Sequence, residues 1–143
     1  DKDSIAVILG DNTTDADISK PVKNFKDGAI VFLKKVSDLK RFGVPVFDPQ
    51  NPKNIINIEE KPKEPKSEYA VTGVYIYDNK VFDYIKKCDP SFAERGELEI
   101  TEVNNYYIKE KKLTWEELGR YWSDAGTFDS LFKASAYWAT QKK

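Results

Sequence analysis

The sequence lacks histidine and methionine altogether and has a single cysteine among its 143 residues. Without histidine, no imidazole can act as a general base or bind a metal. Any metal must therefore be held by oxygen, which favours magnesium or manganese. The lone cysteine, Cys88, excludes a disulfide within this chain and predicts a reducing, cytoplasmic setting. We interpret Cys88 as a partly buried spectator thiol rather than a nucleophile.

The sequence also lacks an excess of positive or negative charge, and it has no long apolar run. The 23 basic and 24 acidic residues leave a net charge of −1, which does not indicate binding to nucleic acid or to an acidic membrane surface. The longest apolar runs, such as residues 5–9, are far too short to cross a bilayer. We expect neither a nucleic-acid nor a membrane partner.

Glycine is sparse, and no two of the seven glycines are separated by one residue. A glycine-rich phosphate loop of the Gly-x-Gly kind is therefore missing. The absence of methionine and the first residue, Asp1, are expected of a processed, trimmed or subcloned piece. With 40% hydrophobic residues, the chain is long enough for one folded domain covering residues 1–143.

The hydrophobic pattern alternates between strands and helices. It predicts a wholly buried strand at 4–9, an edge strand at 113–118, and further strands at 29–34, 43–47, 55–59 and 70–77. Helices are predicted at 79–87, with Val81, Phe82 and Ile85 inward, and at 99–111 and 127–140, the last with Thr127 as N-cap. This order indicates an α/β fold with a mixed, mostly parallel sheet flanked by helices.

Two aspartates follow apparent strand ends, where open α/β sheets place their ligands. Asp11 comes after the first strand, and Asp124 precedes the last helix. Two carboxylates that meet could hold magnesium together with phosphate and water. In the alternative interpretation, Asp11 caps a turn and Asp124 caps the final helix.

Glu60 and Lys61 precede a proline, so we expect their side chains to diverge, the lysine toward a phosphate and the glutamate toward sugar hydroxyls. The alternative is a solvated charged turn. Gly73, inside the strand at 70–77, favours a site because glycine in a strand often marks close approach of a ligand or another backbone. Tyr75 lies on the same face and could place its ring against a sugar.

Arg95, followed by glycine, offers a planar fork for phosphate oxygens, although Arg-Gly turns are common. Gly43 could likewise be an ordinary turn glycine.

Six segments, taken together, resemble the sugar-1-phosphate nucleotidyltransferase family. They occur in the family's order and cover residues 4 to about 136. The segments are Leu9-Gly10-Asp11-Asn12, Arg41-Phe42-Gly43-Val44, Glu59-Glu60-Lys61-Pro62, Tyr69-Ala70-Val71-Thr72-Gly73-Val74-Tyr75, Arg95-Gly96-Glu97-Leu98-Glu99-Ile100-Thr101 and Trp122-Ser123-Asp124-Ala125-Gly126-Thr127. The fourth and fifth favour the thymidylyl branch over the uridylyl and guanylyl branches.

The resemblance implies a partial Rossmann-like fold and a reaction in which a sugar 1-phosphate attacks the α-phosphorus of a nucleoside triphosphate, releasing pyrophosphate. The roles it implies are Mg²⁺ binding by Asp11 and Asp124, binding of the sugar phosphate by Lys61 and Arg95, and lining of the sugar by Asn12, Gly43, Glu60, the Val71 backbone and Tyr75. The ligands implied are a sugar 1-phosphate and a nucleotide-sugar.

The family's N-terminal third, with its glycine-rich loop, catalytic lysine and base pocket, has no counterpart in this sequence. We therefore expect the sugar-binding part of such an enzyme, unable to transfer a nucleotide alone. An open sheet edge would favour a homo-oligomer. Two alternatives stay open: a non-catalytic sugar-phosphate-binding or oligomerising module that pairs with another chain, and a relic without activity.

Overall fold

A computed structural model describes residues 3–88 and 99–141. Its helices are α1 (Ser19–Asn24), α2 (Val81–Ile85), α3 (Ile100–Lys109) and α4 (Phe128–Thr140), with a 3-10 turn at Leu39–Arg41. Its strands are β1 (Ile5–Ile8), β2 (Asn12–Thr14), β3 (Ala29–Lys35), β4 (Gly43–Phe47), β5 (Ile55–Glu60), β6 (Tyr69–Tyr77), β7 (Leu113–Glu117) and β8 (Trp122–Asp124). No helix within these ranges is both long enough and apolar enough to cross a membrane.

The sheet is mixed and accompanied by helices, as the sequence predicts, but it is not mostly parallel. In the four-stranded sheet β1-β6-β3-β7, β6 runs antiparallel to both neighbours, and only β3 and β7 pair in parallel. Strands β2 and β8, and β4 and β5, form two separate antiparallel ribbons. The prediction of mostly parallel pairing was wrong because the chain between β3 and β6 contains the β4–β5 ribbon instead of a crossover helix.

β6 lies at the centre of the structure, and every residue after Tyr69 in it is buried. Val71, Tyr75 and Tyr77 belong to one hydrophobic layer and Val74 and Ile76 to the other. The first layer includes residues of α2 and α3. The second is covered by residues such as Ile18, Phe25 and Trp122.

β1 is not wholly buried. Its residues alternate between partly buried and exposed, and Ile8 is 57% exposed. The prediction was wrong because, among the described residues, β1 is an edge strand that pairs only with β6.

α2 buries a different face from the one predicted. Val81 is buried as expected, whereas Phe82 and Ile85 are exposed and Tyr84 is buried instead. The Tyr84 ring packs edge-on against Tyr107 of α3, with centroids 4.7 Å apart. This contact with α3 determines which side of the short helix faces inward.

Three buried tyrosines predict loss of stability at alkaline pH. Burial raises the pKa of Tyr75, Tyr77 and Tyr107 above the ordinary value near 10. The folded chain therefore keeps protons that the unfolded chain loses, so the contribution is complete below about pH 10 and falls as the pH rises further. We expect the free energy of unfolding to fall by about 1.4 kcal/mol per pH unit for each such tyrosine.

Urea titrations between pH 8 and pH 11.5 measure this slope. Tyr107→Phe removes one titrating group and should make the slope shallower by up to that amount. Val103→Ala, in the same helix, removes a buried side chain that does not titrate and should leave the slope unchanged. Equal slopes in the wild type and in Tyr107→Phe would contradict the prediction.

Candidate functional site

A cleft of about 460 Å³ opens beside the ends of β1, β5 and β8 and the start of α3, with β6 beneath it. Every predicted site residue within the described ranges lines this cleft: Asp11, Asn12, Gly43, Glu60, Lys61, Val71, Tyr75 and Asp124. The remaining one, Arg95, lies outside the described residues. The roles predicted for these residues stay predictions.

Asp11 and Asp124 lie side by side because the β2–β8 ribbon joins the two segments that carry them. Asn12 stands opposite Asp124 in this ribbon, and the Ala125 N–H donates to the Asp11 carbonyl at 2.7 Å. A Cβ built on Gly126 would lie 2.8 Å from Asp124 Oδ1 and 3.5 Å from Asp11 Oδ2. Both carboxylates therefore approach one point that a side chain would fill.

This pair of oxygen donors fits a hard divalent cation. Magnesium is commonly bound by one or two carboxylates and completes its shell with water and phosphate. Within residues 3–88 and 99–141, no group of three or more His, Cys, Asp or Glu residues could hold a metal. The fit is therefore to a two-carboxylate site and not to an all-protein cage.

Asp124 does not cap the last helix, so that alternative interpretation was wrong. The Thr127 hydroxyl accepts from the Ser130 N–H and forms a capping box with Ser130, as the sequence predicts for Thr127. Asp124 Oδ1 instead accepts from the Gly126 N–H at 2.8 Å, and its Oδ2 lies 3.4 Å from Arg41 Nη2. The carboxylate is held at the cleft by a turn and by a partly exposed ion pair.

Glu60 and Lys61 also line the cleft, and their side chains converge instead of diverging. Lys61 Nζ lies 3.3 Å from Glu60 Oε1 and 3.6 Å from Glu99 Oε1. Successive residues in a strand point to opposite faces, but Lys61 has φ = 44° and so leaves the strand conformation. This left-handed residue returns the ammonium group to the cleft, and its side chain is 37% exposed.

Glu60 is fixed by a residue that the sequence argument did not single out. The Thr101 hydroxyl, at the start of α3, donates to Glu60 Oε2. Gly43 faces Glu60 across the β4–β5 ribbon, and a Cβ there would come within 3.2 Å of Thr101 Oγ1. Gly43 is thus a buried strand residue that leaves room for the Thr101–Glu60 contact, not an ordinary turn glycine.

The floor of the cleft is formed by Val71, Gly73 and Tyr75 of β6. Tyr75 is 3% exposed and stacks on Tyr77 at 5.6 Å. Burial, and then the negative charges of Glu60 and Asp11, raise its pKa, so the phenol stays neutral. The sequence indicated close approach of a ligand or another backbone at Gly73, but the neighbour found there is the Asn12 side chain, whose Nδ2 would lie 2.4 Å from a Cβ at residue 73.

Several further residues that line the cleft were not predicted as site residues, among them Arg41, Thr101 and Trp122. Each stands in one of the six segments described above, so its position was visible in the sequence. The hydrogen-bond partners of Arg41, Thr101 and Trp122 could not be predicted, because they lie far away along the chain. These partners are Asp124, Glu60 and Asn12, respectively.

The fold is that of the nucleotidyltransferases. A structure of apo UDP-glucose pyrophosphorylase superimposes with a TM-score of 0.82 over 96% of this chain and 55% of that one, at 20% identity. That identity supports the fold alone.

The chain belongs to the nucleotidyl transferase family, whose family profile matches residues 1–141, and the predicted resemblance is confirmed. A glucose-1-phosphate thymidylyltransferase of Neisseria gonorrhoeae is 40% identical over 94% of this chain and 47% of its own length. A Bacillus anthracis protein assigned as a glucose-1-phosphate thymidylyltransferase, solved in complex with a sucrose, is 50% identical with a TM-score of 0.87, over 99% of this chain and 57% of that one. The chain thus spans about half the length of the curated relatives it matches.

Proposed function

We propose that this chain is the sugar-phosphate-binding part of a glucose-1-phosphate thymidylyltransferase. The observation that carries this proposal is the cleft itself, which is lined by the neighbouring carboxylates of Asp11 and Asp124 and by the ammonium group of Lys61. The relatives at 40% and 50% identity carry the name glucose-1-phosphate thymidylyltransferase, which supports glucose 1-phosphate as the substrate. In the complete reaction, glucose 1-phosphate attacks the α-phosphorus of a thymidine triphosphate and releases pyrophosphate.

The predicted charged residues of the cleft each have a proposed task. Lys61, whose side chain is partly exposed, neutralises the sugar phosphate. The Glu60 carboxylate accepts hydrogen bonds from sugar hydroxyls; Thr101 holds it in place, and Gly43 leaves room for that contact. Asp11 and Asp124 bind Mg²⁺, which when present neutralises charge on phosphate oxygens.

Calorimetric titration tests this proposal, with glucose 1-phosphate and then dTDP-glucose as ligands, each with and without Mg²⁺. We expect both to bind, and binding to depend on Mg²⁺. Lys61→Ala should abolish the binding of both because the phosphate loses its cation. Absence of binding to the wild type at millimolar ligand would contradict the proposal.

Asp124→Asn tests the proposed Mg²⁺-binding role of Asp124, because it removes the charge and keeps the shape of the side chain. The amide oxygen can still accept from the Gly126 N–H, and only a partly exposed ion pair with Arg41 is lost. The free energy of unfolding should therefore change by less than about 1 kcal/mol, while Mg²⁺-dependent ligand binding weakens. A large loss of stability with unchanged binding would assign Asp124 a structural role.

Nucleotide transfer and assembly are further parts of the proposal. Because the sequence has no Gly-x-Gly loop, the chain should bind its ligands without forming dTDP-glucose from glucose 1-phosphate and thymidine triphosphate. The exposed side chains beside the β1 edge, Ile8 and Leu9, favour a homo-oligomer or pairing with another chain through that edge. Light scattering after gel filtration distinguishes these states from a monomer.

A further inference from the structure

The Asn12 side-chain amide has only one orientation that satisfies its neighbours. Asn12 Oδ1 accepts from the Gly73 N–H at 2.8 Å and from the Trp122 indole N–H at 2.7 Å. Both partners can only donate, so the atom between them must be the oxygen, and both of its lone pairs are used. An amide turned by 180° would leave both N–H groups unpaired.

This orientation directs the NH₂ group of Asn12 toward the Asp11 carboxylate. Asn12 Nδ2 donates to Asp11 Oδ1 at 2.9 Å. An amide nitrogen carries two hydrogens. Within residues 3–88 and 99–141, the bond to Asp11 is the one hydrogen bond that Asn12 Nδ2 donates. Since Asn12 lines the cleft, the second hydrogen can be donated to an oxygen atom of a ligand.

Of the two N–H groups that bind Asn12 Oδ1, Trp122 supplies the one that belongs to a side chain. The Gly73 N–H belongs to the backbone of the central strand, whereas the indole comes from β8. The ring packs edge-on against Phe42, with centroids 5.6 Å apart. Trp122 therefore reaches Asn12 from a partly buried position in which its ring is packed against Phe42.

We propose that Trp122 is a positioning residue that acts through Asn12. Its indole N–H fixes the Asn12 amide, which in turn holds the Asp11 carboxylate toward the point shared with Asp124 and presents one N–H to a ligand oxygen. This inference rests on the proposed function, because the cation and the sugar phosphate are the ligands it concerns.

Trp122→Phe tests the inference, since it keeps an aromatic side chain beside Phe42 and removes the indole N–H, together with ring atoms whose loss the controls share. Two controls make the same replacement outside the cleft: Trp138, whose indole donates to Thr13 Oγ1 at 2.6 Å, and Trp115, whose indole donates to the Lys53 carbonyl at 2.9 Å. Each protein is titrated with Mg²⁺ alone, and with glucose 1-phosphate in saturating Mg²⁺.

We expect Trp122→Phe to weaken Mg²⁺ binding about tenfold, as is common for groups that orient a metal ligand, and both controls to stay within about twofold of the wild type. In an Asn12→Ala background, Trp122→Phe should have no further effect, because the residue through which it acts is gone. The ¹H–¹⁵N signals of the Asn12 side-chain amide should shift in Trp122→Phe and not in Trp138→Phe.

The possible failures are distinguishable. A wild-type chain that binds neither ligand overturns the proposed function, and this inference with it. A wild type that binds, together with a Trp122→Phe variant that binds equally well or leaves the Asn12 amide signals unmoved, overturns the inference alone. Equal weakening in Trp122→Phe and Trp138→Phe would also overturn it, because the effect would then be general to indole removal.

Discussion

Gly73→Ala is expected to lower the free energy of unfolding by at least about 2 kcal/mol and to abolish ligand binding. The new methyl group would lie 2.4 Å from Asn12 Nδ2 and 2.6 Å from Asn12 Cγ. Because β6 is the central strand, the Asn12 amide must move instead and give up its bonds to Gly73 and Trp122. Overpacking typically costs 1–3 kcal/mol, and each buried group left unpaired adds about 1–3 kcal/mol.

Urea denaturation and calorimetric titration measure the two effects. Gly10→Ala is the control, because a Cβ at Gly10 meets nothing within 4 Å and should change stability by less than about 0.5 kcal/mol. In an Asn12→Ala background, Gly73→Ala should cost at least about 1 kcal/mol less, since the group it displaces is absent. An equal cost in both backgrounds would mean that the methyl group strains β6 itself.

Tyr107→Ala should have the largest effect on stability, a loss of about 4 kcal/mol. Its side chain is fully buried, stacks on Tyr77 at 5.6 Å and meets the Tyr84 ring at 4.7 Å. Removing a buried aromatic ring typically costs 3–5 kcal/mol through lost transfer energy and the cavity left behind.

Tyr107→Phe separates the ring from the hydroxyl, which donates to Asp78 Oδ1 at 2.8 Å. It should cost about 1.5 to 3 kcal/mol, the usual range for a hydrogen bond to a charged acceptor. Equilibrium urea unfolding at neutral pH gives both values. If Tyr107→Ala cost no more than Tyr107→Phe, the ring would contribute nothing beyond its hydroxyl bond.

The sequence by itself determined the local elements where one physical signal dominated. The apolar run at 29–33 and the β-branched and aromatic residues at 70–77 predicted β3 and β6 almost to the residue, and the hydroxyl of Thr127 correctly marked the start of α4. The sequence did not determine the direction of β6 in the sheet. It depends on how the chain between residues 36 and 68 returns to the sheet, and a strand's own hydrophobicity carries no information about its direction.

The same division holds for the site. Six short segments identified the family, and every predicted site residue in the cleft belongs to one of them. Both could be recognised from the sequence because residue type and order are properties of the sequence. The contacts between those residues were decided by tertiary structure. The positive φ of Lys61 brings its ammonium group beside Glu60, and the β2–β8 ribbon places Asp11 beside Asp124. The Trp122–Asn12 hydrogen bond joins residues 110 positions apart, and only the packing of the folded chain brings such residues together.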